Sequence, residues 1–89
     1  MRIVWDEPKR EANLSKHRLD FADLDETFFD DALFLPSYGR RWRAIGETIQ
    51  GVVSVVFVTL GTEAVSVISM RPANKNERKL YAERQKEGL

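Results

Sequence analysis

Arg71, Arg78 and Tyr81 stand close together near the end of this sequence, in the stretch SVISMRPANKNERKLY. Arg71 closes a β-type run, Val65 to Met70, and Pro72 follows it. Arg78 and Tyr81 lie three apart on what reads as the next helix, a spacing that turns both side chains the same way. A guanidinium presents a planar fork of donors that suits phosphate oxygens and stays charged at any working pH. A tyrosine beside it can stack on a base or relay a proton. Further upstream, RRWRAIGETI alternates, with Trp42 and Ala44 on one face and Arg41, Arg43 and Ile45 on the other. Continuing the alternation of the last strand puts Arg71 on a face with Val65, Val67 and Ser69, so that these arginines approach one another across the strand between them. Lys9, Asn13, Lys16 and His17, at i, i+4, i+7 and i+8, make a polar stripe that also suits phosphate. Together these residues describe an anion site. The same spacings fit a solvated helix face, ion-paired surface arginines, or a tyrosine ring packed on a sheet with its hydroxyl at the rim.

Other chemistries are harder to build. His17 is the one histidine and there is no cysteine, so disulfides and thiolate or multi-histidine metal sites are excluded, and the carboxylates show no ligand spacing. Neither a metal nor a cofactor is expected. No stretch matches a phosphate loop, a metalloprotease helix or a serine triad. The 89 residues, 43% of them apolar, suit one small folded domain rather than a disordered chain. MRIVWDEPKR has none of the character of a signal peptide, and GVVSVVFVTLG falls short of the roughly 20 residues of a spanning helix. A soluble cytoplasmic protein without membrane contact is expected. The net charge is zero, yet residues 1–37 hold five Lys/Arg against nine Asp/Glu and residues 38–89 hold nine against five. Such asymmetry suggests one face for an anion and another for something else.

The elements that must position these residues follow from pattern. RIVW is a short strand; Asp6 stands as N-cap of a helix over about Glu7–His17, with Pro8 in its first turn. DFADLDETFFDD reads as a second helix capped by Asp20, with Phe21, Leu24 and Phe28 at i, i+3, i+7 as its core face. Strands then follow at ALFLPS, RRWRAIGETI, VVSVVFVTL and AVSVISMR, joined by turns at SYG, Gln50-Gly51 and Leu60-Gly61-Thr62. VVSVVFVTL, nearly continuous in β-branched residues, belongs in the middle of the sheet. Asn74 and Glu77 have capping-box spacing and open a terminal helix over about Lys75–Lys86. The fold class expected is α+β: one domain with an antiparallel meander, two N-terminal helices and a C-terminal helix.

The segments WDEPKREANLSKHRLDF, FFDD, RWRAIG and ISMRPANKNERKLY together resemble the BrnT family of bacterial ribonuclease toxins. The resemblance rests on Trp5, Asp6, Lys9, Asn13, Lys16, His17, Phe21, Phe28, Asp30, Arg41, Gly46, Ser69, Arg71, Glu77, Arg78 and Tyr81, in order along nearly the whole chain. It implies a compact RelE-like fold, metal-free cleavage of RNA, inhibition of translation, and neutralisation by a BrnA-like antitoxin whose ribbon-helix-helix domain binds operator DNA. Family-type catalytic residues map to Lys16, His17, Arg41, Glu47, Arg71, Arg78 and Tyr81, with Glu47 placed only by its position after Gly46. Lys9, Arg43 and Lys75 are expected to contact substrate. Arg40 departs from the pattern, since relatives often carry an acid before Arg41; this bears on how Arg41 is paired.

The chemistry implied is attack of a ribose 2′-OH on the adjacent phosphate. His17 or Glu47 serves as base, or His17 as the acid that protonates the leaving 5′-oxygen, while Arg41, Arg71 and Arg78 stabilise the charged phosphorane and Tyr81 orients the scissile group or stacks on a base. Two other classes compete: a non-catalytic RNA-binding module using the same cations, and a scaffold whose acidic first half docks a basic protein.

Overall fold

The computed structural model describes residues 1–87. The elements run β1 (Arg2–Trp5), α1 (Glu7–His17), a short 3-10 helix (Phe21–Asp23), α2 (Glu26–Asp31), β2 (Leu33–Pro36), β3 (Trp42–Thr48), β4 (Gly51–Leu60), β5 (Ala64–Pro72) and α3 (Lys75–Glu87). One five-stranded sheet has the order β1-β5-β4-β3-β2. β2 to β5 form the antiparallel meander, and β4 lies at its centre. β1 instead pairs parallel to β5, with Ile3 opposite Val65 and Trp5 opposite Val67. The sheet is therefore mixed rather than wholly antiparallel. The meander announces itself through its turns, whereas a parallel pair is joined by a long crossover and leaves no local signal. No helix among the described residues is long and apolar enough to cross a membrane.

The second helix is shorter than its apolar spacing predicts. Asp20 caps the 3-10 helix by accepting from the Ala22 amide at 2.9 Å. The chain then extends through Leu24 and Asp25, and Asp25 starts α2 by accepting from the Phe28 amide at 2.9 Å. Two aspartates five residues apart thus cap two short pieces in place of one helix. Phe21, Leu24 and Phe28 are nonetheless all buried, packed with Phe29 against Val53, Val55, Phe57, Val65, Val67 and Met70 on one face of the sheet. α3 closes part of the other face over Ile45, Ala73 and Tyr81, flanked by Leu33, Leu35 and Val52.

A bulge decides what β5 presents. Phe57 pairs with Val67 but Val56 pairs with Ser69, so an extra residue shifts the alternation at Ile68. Val67 and Met70, three apart, both face the first core. Arg71 consequently lies on the opposite face, beside Ser54 and away from Val65 and Val67, contrary to the simple alternation. It shares that face with Ser69 and with Arg43 of β3, which pairs with Val56.

α1 contributes little apolar surface and is tied down by a polar residue instead. Asn13 is buried; its Oδ1 accepts from the Met70 amide at 3.0 Å, beyond the end of β1, and its Nδ2 donates to the Leu19 carbonyl at 3.1 Å. The edge of β5 that β1 leaves uncovered is thereby satisfied by a side chain. Asn13 is thus tied into the fold by both ends of its amide, while it still borders the cleft lined by Lys9, Lys16 and His17. Asp6 occupies the N-cap position of α1 with extended backbone, but its side chain makes no cap bond.

Gly46 sits in β3 under the ring of Phe28. A Cβ there would lie 2.8 Å from Phe28 Cε1, and the ring is wedged edge-on against Phe29 at a centroid distance of 5.1 Å. Gly46→Ala is therefore expected to destabilise the fold by about 1–3 kcal/mol, read as a lower midpoint in urea. Gly39, where an added Cβ meets nothing within 4 Å but φ is +61°, should show only the smaller cost of backbone strain.

Candidate functional site

The first turn of α3 places Glu77 against the sheet. Asn74 and Glu77 form the reciprocal cap: the Glu77 amide donates to Asn74 Oδ1 at 2.8 Å and the Asn74 amide donates to Glu77 Oε1 at 3.0 Å. The same carboxylate receives a two-pronged guanidinium, Arg71 Nη1 to Oε1 at 2.8 Å and Nη2 to Oε2 at 2.9 Å. Arg43 reaches it from β3, with Nη1 3.9 Å from Oε2. Ser54 lies between them, accepting from Arg43 Nη1 at 2.6 Å and donating to Glu77 Oε2 at 3.4 Å. Burial by itself would push the Glu77 carboxyl up. The Arg71 and Asn74 hydrogen bonds and the charges of Arg71 and Arg43 outweigh it, so the carboxyl is held below its ordinary range. Arg71 also donates to the Pro72 carbonyl at 3.1 Å, and Arg78 Nε donates to the next carbonyl, Ala73, at 3.1 Å. Two guanidinium groups, Arg43 and Arg71, thus share one carboxylate, with Arg78 anchored alongside.

A second group lies along β5. Lys9, Lys16 and His17 line a shallow cleft against Ile68 and Ser69. His17 is half-buried there, while Lys9 and Lys16 are exposed. The C-terminal turn of α1, which carries Lys16 and His17, ends in left-handed Arg18 at φ 58°. Arg10 Nε and Nη2 grip Asp20 at 2.7 and 2.8 Å, fixing α1 against the following turn. That pairing, with the Ala22 amide, holds the Asp20 carboxyl below its usual range.

Other expected residues fall elsewhere. Arg41 precedes β3 in an exposed turn, its amide bonded to the Tyr38 carbonyl at 3.0 Å. Lys75 is exposed at the start of α3. Arg78 and Tyr81 have different surroundings: Arg78 is exposed, whereas Tyr81 is buried over Ile45 and lines a pocket shared with Glu47 and Asp31. Glu47 is thus grouped with acids, not with the arginines. Sequence spacing gave Glu77 a capping role but missed that it orders Arg43 and Arg71, because that requires knowing that β3, β4 and β5 bring Arg43, Ser54 and Arg71 under one helix turn. On the opposite face an apolar groove is bordered by the half-exposed rings of Phe34 and Trp42 with Phe57 beneath.

The profile of a family described as "Ribonuclease toxin, BrnT, of type II toxin-antitoxin system" matches residues 5–77. The chain is also similar to the ribonuclease toxin BrnT of Brucella abortus, known from a 1.1 Å crystal structure, at 50% identity and a TM-score of 0.78, covering 84% of this chain and 99% of that one. No curated protein matches significantly.

Because folding lowers the Glu77 pKa, its contribution to stability is complete above the ordinary carboxyl value of 4.5 and is lost as the pH falls through the lower folded value. Glu77→Gln is expected to cost about 1–3 kcal/mol at neutral pH, since it leaves Arg71 without its charged partner. The variant should also show a flatter loss of stability in urea melts between about pH 7 and pH 3. The limb due to Asp20 should persist in it.

Proposed function

We propose that this chain, which belongs to the BrnT family of ribonuclease toxins of type II toxin–antitoxin systems, is an endoribonuclease that works without a metal ion. The observation that carries this reading is the arrangement along β5. Ser69 borders the His17 cleft, and Arg71, the next residue on the same face, joins Arg43 at the Glu77 carboxylate, with Arg78 bonded to the nearby Ala73 carbonyl. Two residues of strand separate them by about 7 Å, a span that suits one ribose–phosphate link and its neighbour.

In this reading the 2′-oxygen of a ribose attacks its 3′-phosphate, the bond from phosphorus to the 5′-oxygen of the next nucleotide breaks, and the leaving oxygen takes a proton. A 2′,3′-cyclic phosphate and a free 5′-hydroxyl result. His17 is the proton-transfer group at the cleft, with the Lys16 ammonium beside it. Imidazole is the side chain whose class changes charge in the physiological range. Arg71, Arg43 and Arg78 hold the negative phosphorane; Glu77 engages both terminal nitrogens of Arg71 and the Pro72 carbonyl takes a second Nη1 hydrogen, which leaves Nε and one Nη2 hydrogen for phosphate oxygen. Lys9, Lys75 and Arg41 contact flanking phosphates. Glu47 and Tyr81 stand among carboxylates that repel phosphate, which argues for a role apart from the phosphate site.

The broader reading follows the family. In this reading the fold is RelE-like, and the chain cuts RNA and inhibits translation in the cytoplasm. A BrnA-like antitoxin with a ribbon-helix-helix domain would neutralise the toxin and carry the complex to operator DNA.

Purified protein is expected to cut single-stranded RNA undiminished in excess EDTA and to leave cyclic or 3′-phosphate ends; activity abolished by chelation and restored by a divalent ion overturns the metal-free mechanism. His17→Gln should lower kcat/KM about 10²-fold or more with an unchanged unfolding midpoint. Arg71→Lys, which keeps charge for Glu77 but removes the fork, should lose activity while remaining folded; full activity in both variants would place the chemistry elsewhere.

A further inference from the structure

The turn between β2 and β3 carries charge and an aromatic ring that the site under α3 does not account for. From Ala32 to Gly46 the chain holds three arginines, Arg40, Arg41 and Arg43, and no acidic residue. Arg40 and Arg41 are exposed and make no ion pair among the described residues. Tyr38 is 90% exposed, so its ring contributes almost nothing to the core. Ile49 is as exposed on the next turn, but that turn, Thr48 to Gly51, has no lysine or arginine. An exposed apolar side chain is ordinary by itself; the combination of a free ring with free cations sets Tyr38 apart.

The turn is held in shape. The Ser37 amide donates to the Arg41 carbonyl and the Arg41 amide to the Tyr38 carbonyl, each at 3.0 Å. Gly39 takes the left-handed conformation, φ +61°, that lets the chain reverse. Its place relative to the phosphate site follows from register. Arg43, Val56 and Ser69 lie opposite one another across β3, β4 and β5, so one row of the sheet runs from Arg43 to the border of the His17 cleft. Arg41 stands two residues before Arg43, at most about 7 Å along the chain. Tyr38 opens a hydrogen-bonded turn that keeps its Cα within about 7 Å of that of Arg41. The cations therefore continue from Arg71 and Arg43 out to the turn, over a distance that takes in the nucleotide next to the scissile one.

Arginines without carboxylate partners attract a polyanion, and a phenol ring standing free among them offers a flat surface on which any base can stack. Single strands are held in this way without their sequence being read. We propose that the β2–β3 turn grips the RNA strand beside the scissile link: Tyr38 stacks on one unpaired base, Arg40 holds the phosphate next to it, and Arg41 leads the strand to Arg43. The inference rests on the nuclease reading and adds to it a base-contacting residue outside the site of chemistry. A base inside a duplex is already stacked on its neighbours, so the grip selects single strands.

The test is fluorescence anisotropy of the full chain with a labelled 2′-O-methyl octanucleotide, which lacks the attacking hydroxyl and is not cut, and with an abasic strand of the same length and charge. The wild-type chain should bind the first more tightly. Tyr38→Ala is expected to weaken that binding about tenfold or more while hardly changing the abasic strand's, and Tyr38→Phe, which keeps the ring, should bind as the wild type does. Both variants should unfold at the wild-type midpoint. Arg40→Ala should lower the slope of log affinity against log salt by about 0.7. Unchanged affinity in Tyr38→Ala leaves the ring to a protein partner, an equal loss on both strands makes the turn a phosphate contact alone, and an unchanged salt slope in Arg40→Ala takes the phosphate from the turn; each overturns the proposal. Cleavage of unmodified RNA by the wild-type chain separates the two readings. Cutting combined with a silent Tyr38→Ala overturns the stacking alone, and a strand held through Tyr38 but never cut overturns the nuclease alone.

Discussion

The carboxylate of Glu77 is the constraint around which the rest of the molecule is arranged. It starts α3 through the cap with Asn74, receives the fork of Arg71 from β5, and draws Arg43 and Ser54 in from β3 and β4. A carboxylate taken out of water is costly unless its oxygens are fully bonded. Here they are, and its place in the first turn adds the favourable end of the helix dipole. The same contacts that close the second face of the sheet also fix the direction of two guanidinium groups. Because one negative charge serves two positive ones, the centre keeps a surplus of positive charge in a rigid frame, which is the state an anion-binding site requires.

α3 separates charge. Glu77 near its start faces arginines, and Tyr81, one turn later, faces Glu47 and Asp31. A zero net charge conceals this polarity. Association depends on local potential more than on the total, so a polyanion and a cationic chain can be steered to different sides of so small a protein.

Much of this was legible in the residues. The bounds of α1, the capping box at Asn74, the central place of β4 and the Gly turns follow from short-range rules, because cap bonds and turn dihedrals involve neighbours in sequence. The parallel partner of β1 was not legible, since nothing local records a crossover. The division of the second helix was hidden because Phe21, Leu24 and Phe28 are buried in either arrangement; their periodicity could not reveal that Asp20 and Asp25 each cap a separate piece. The chemistry of the arginines suggests an anion site, and of these Arg43 and Arg71 meet at one carboxylate. Their convergence on Glu77, and the departure of Glu47 and Tyr81 to an acidic pocket, depend on the way three strands lie beneath one helix.

The bulge in β5 divides that strand into two working halves. Before it, alternate residues fill the first core; beyond it, the phase is reversed, so Met70 seals the interior while Arg71 emerges under α3. The orientation of the arginine is therefore stored in a count of residues rather than in their kinds. Swapping Ile68 for another residue preserves the count, whereas deleting it would turn the strand over from that point and trade the guanidinium's place with the methionine's. In this protein chain length between two fixed points acts as a coordinate of the site, as binding as the identity of any side chain in it.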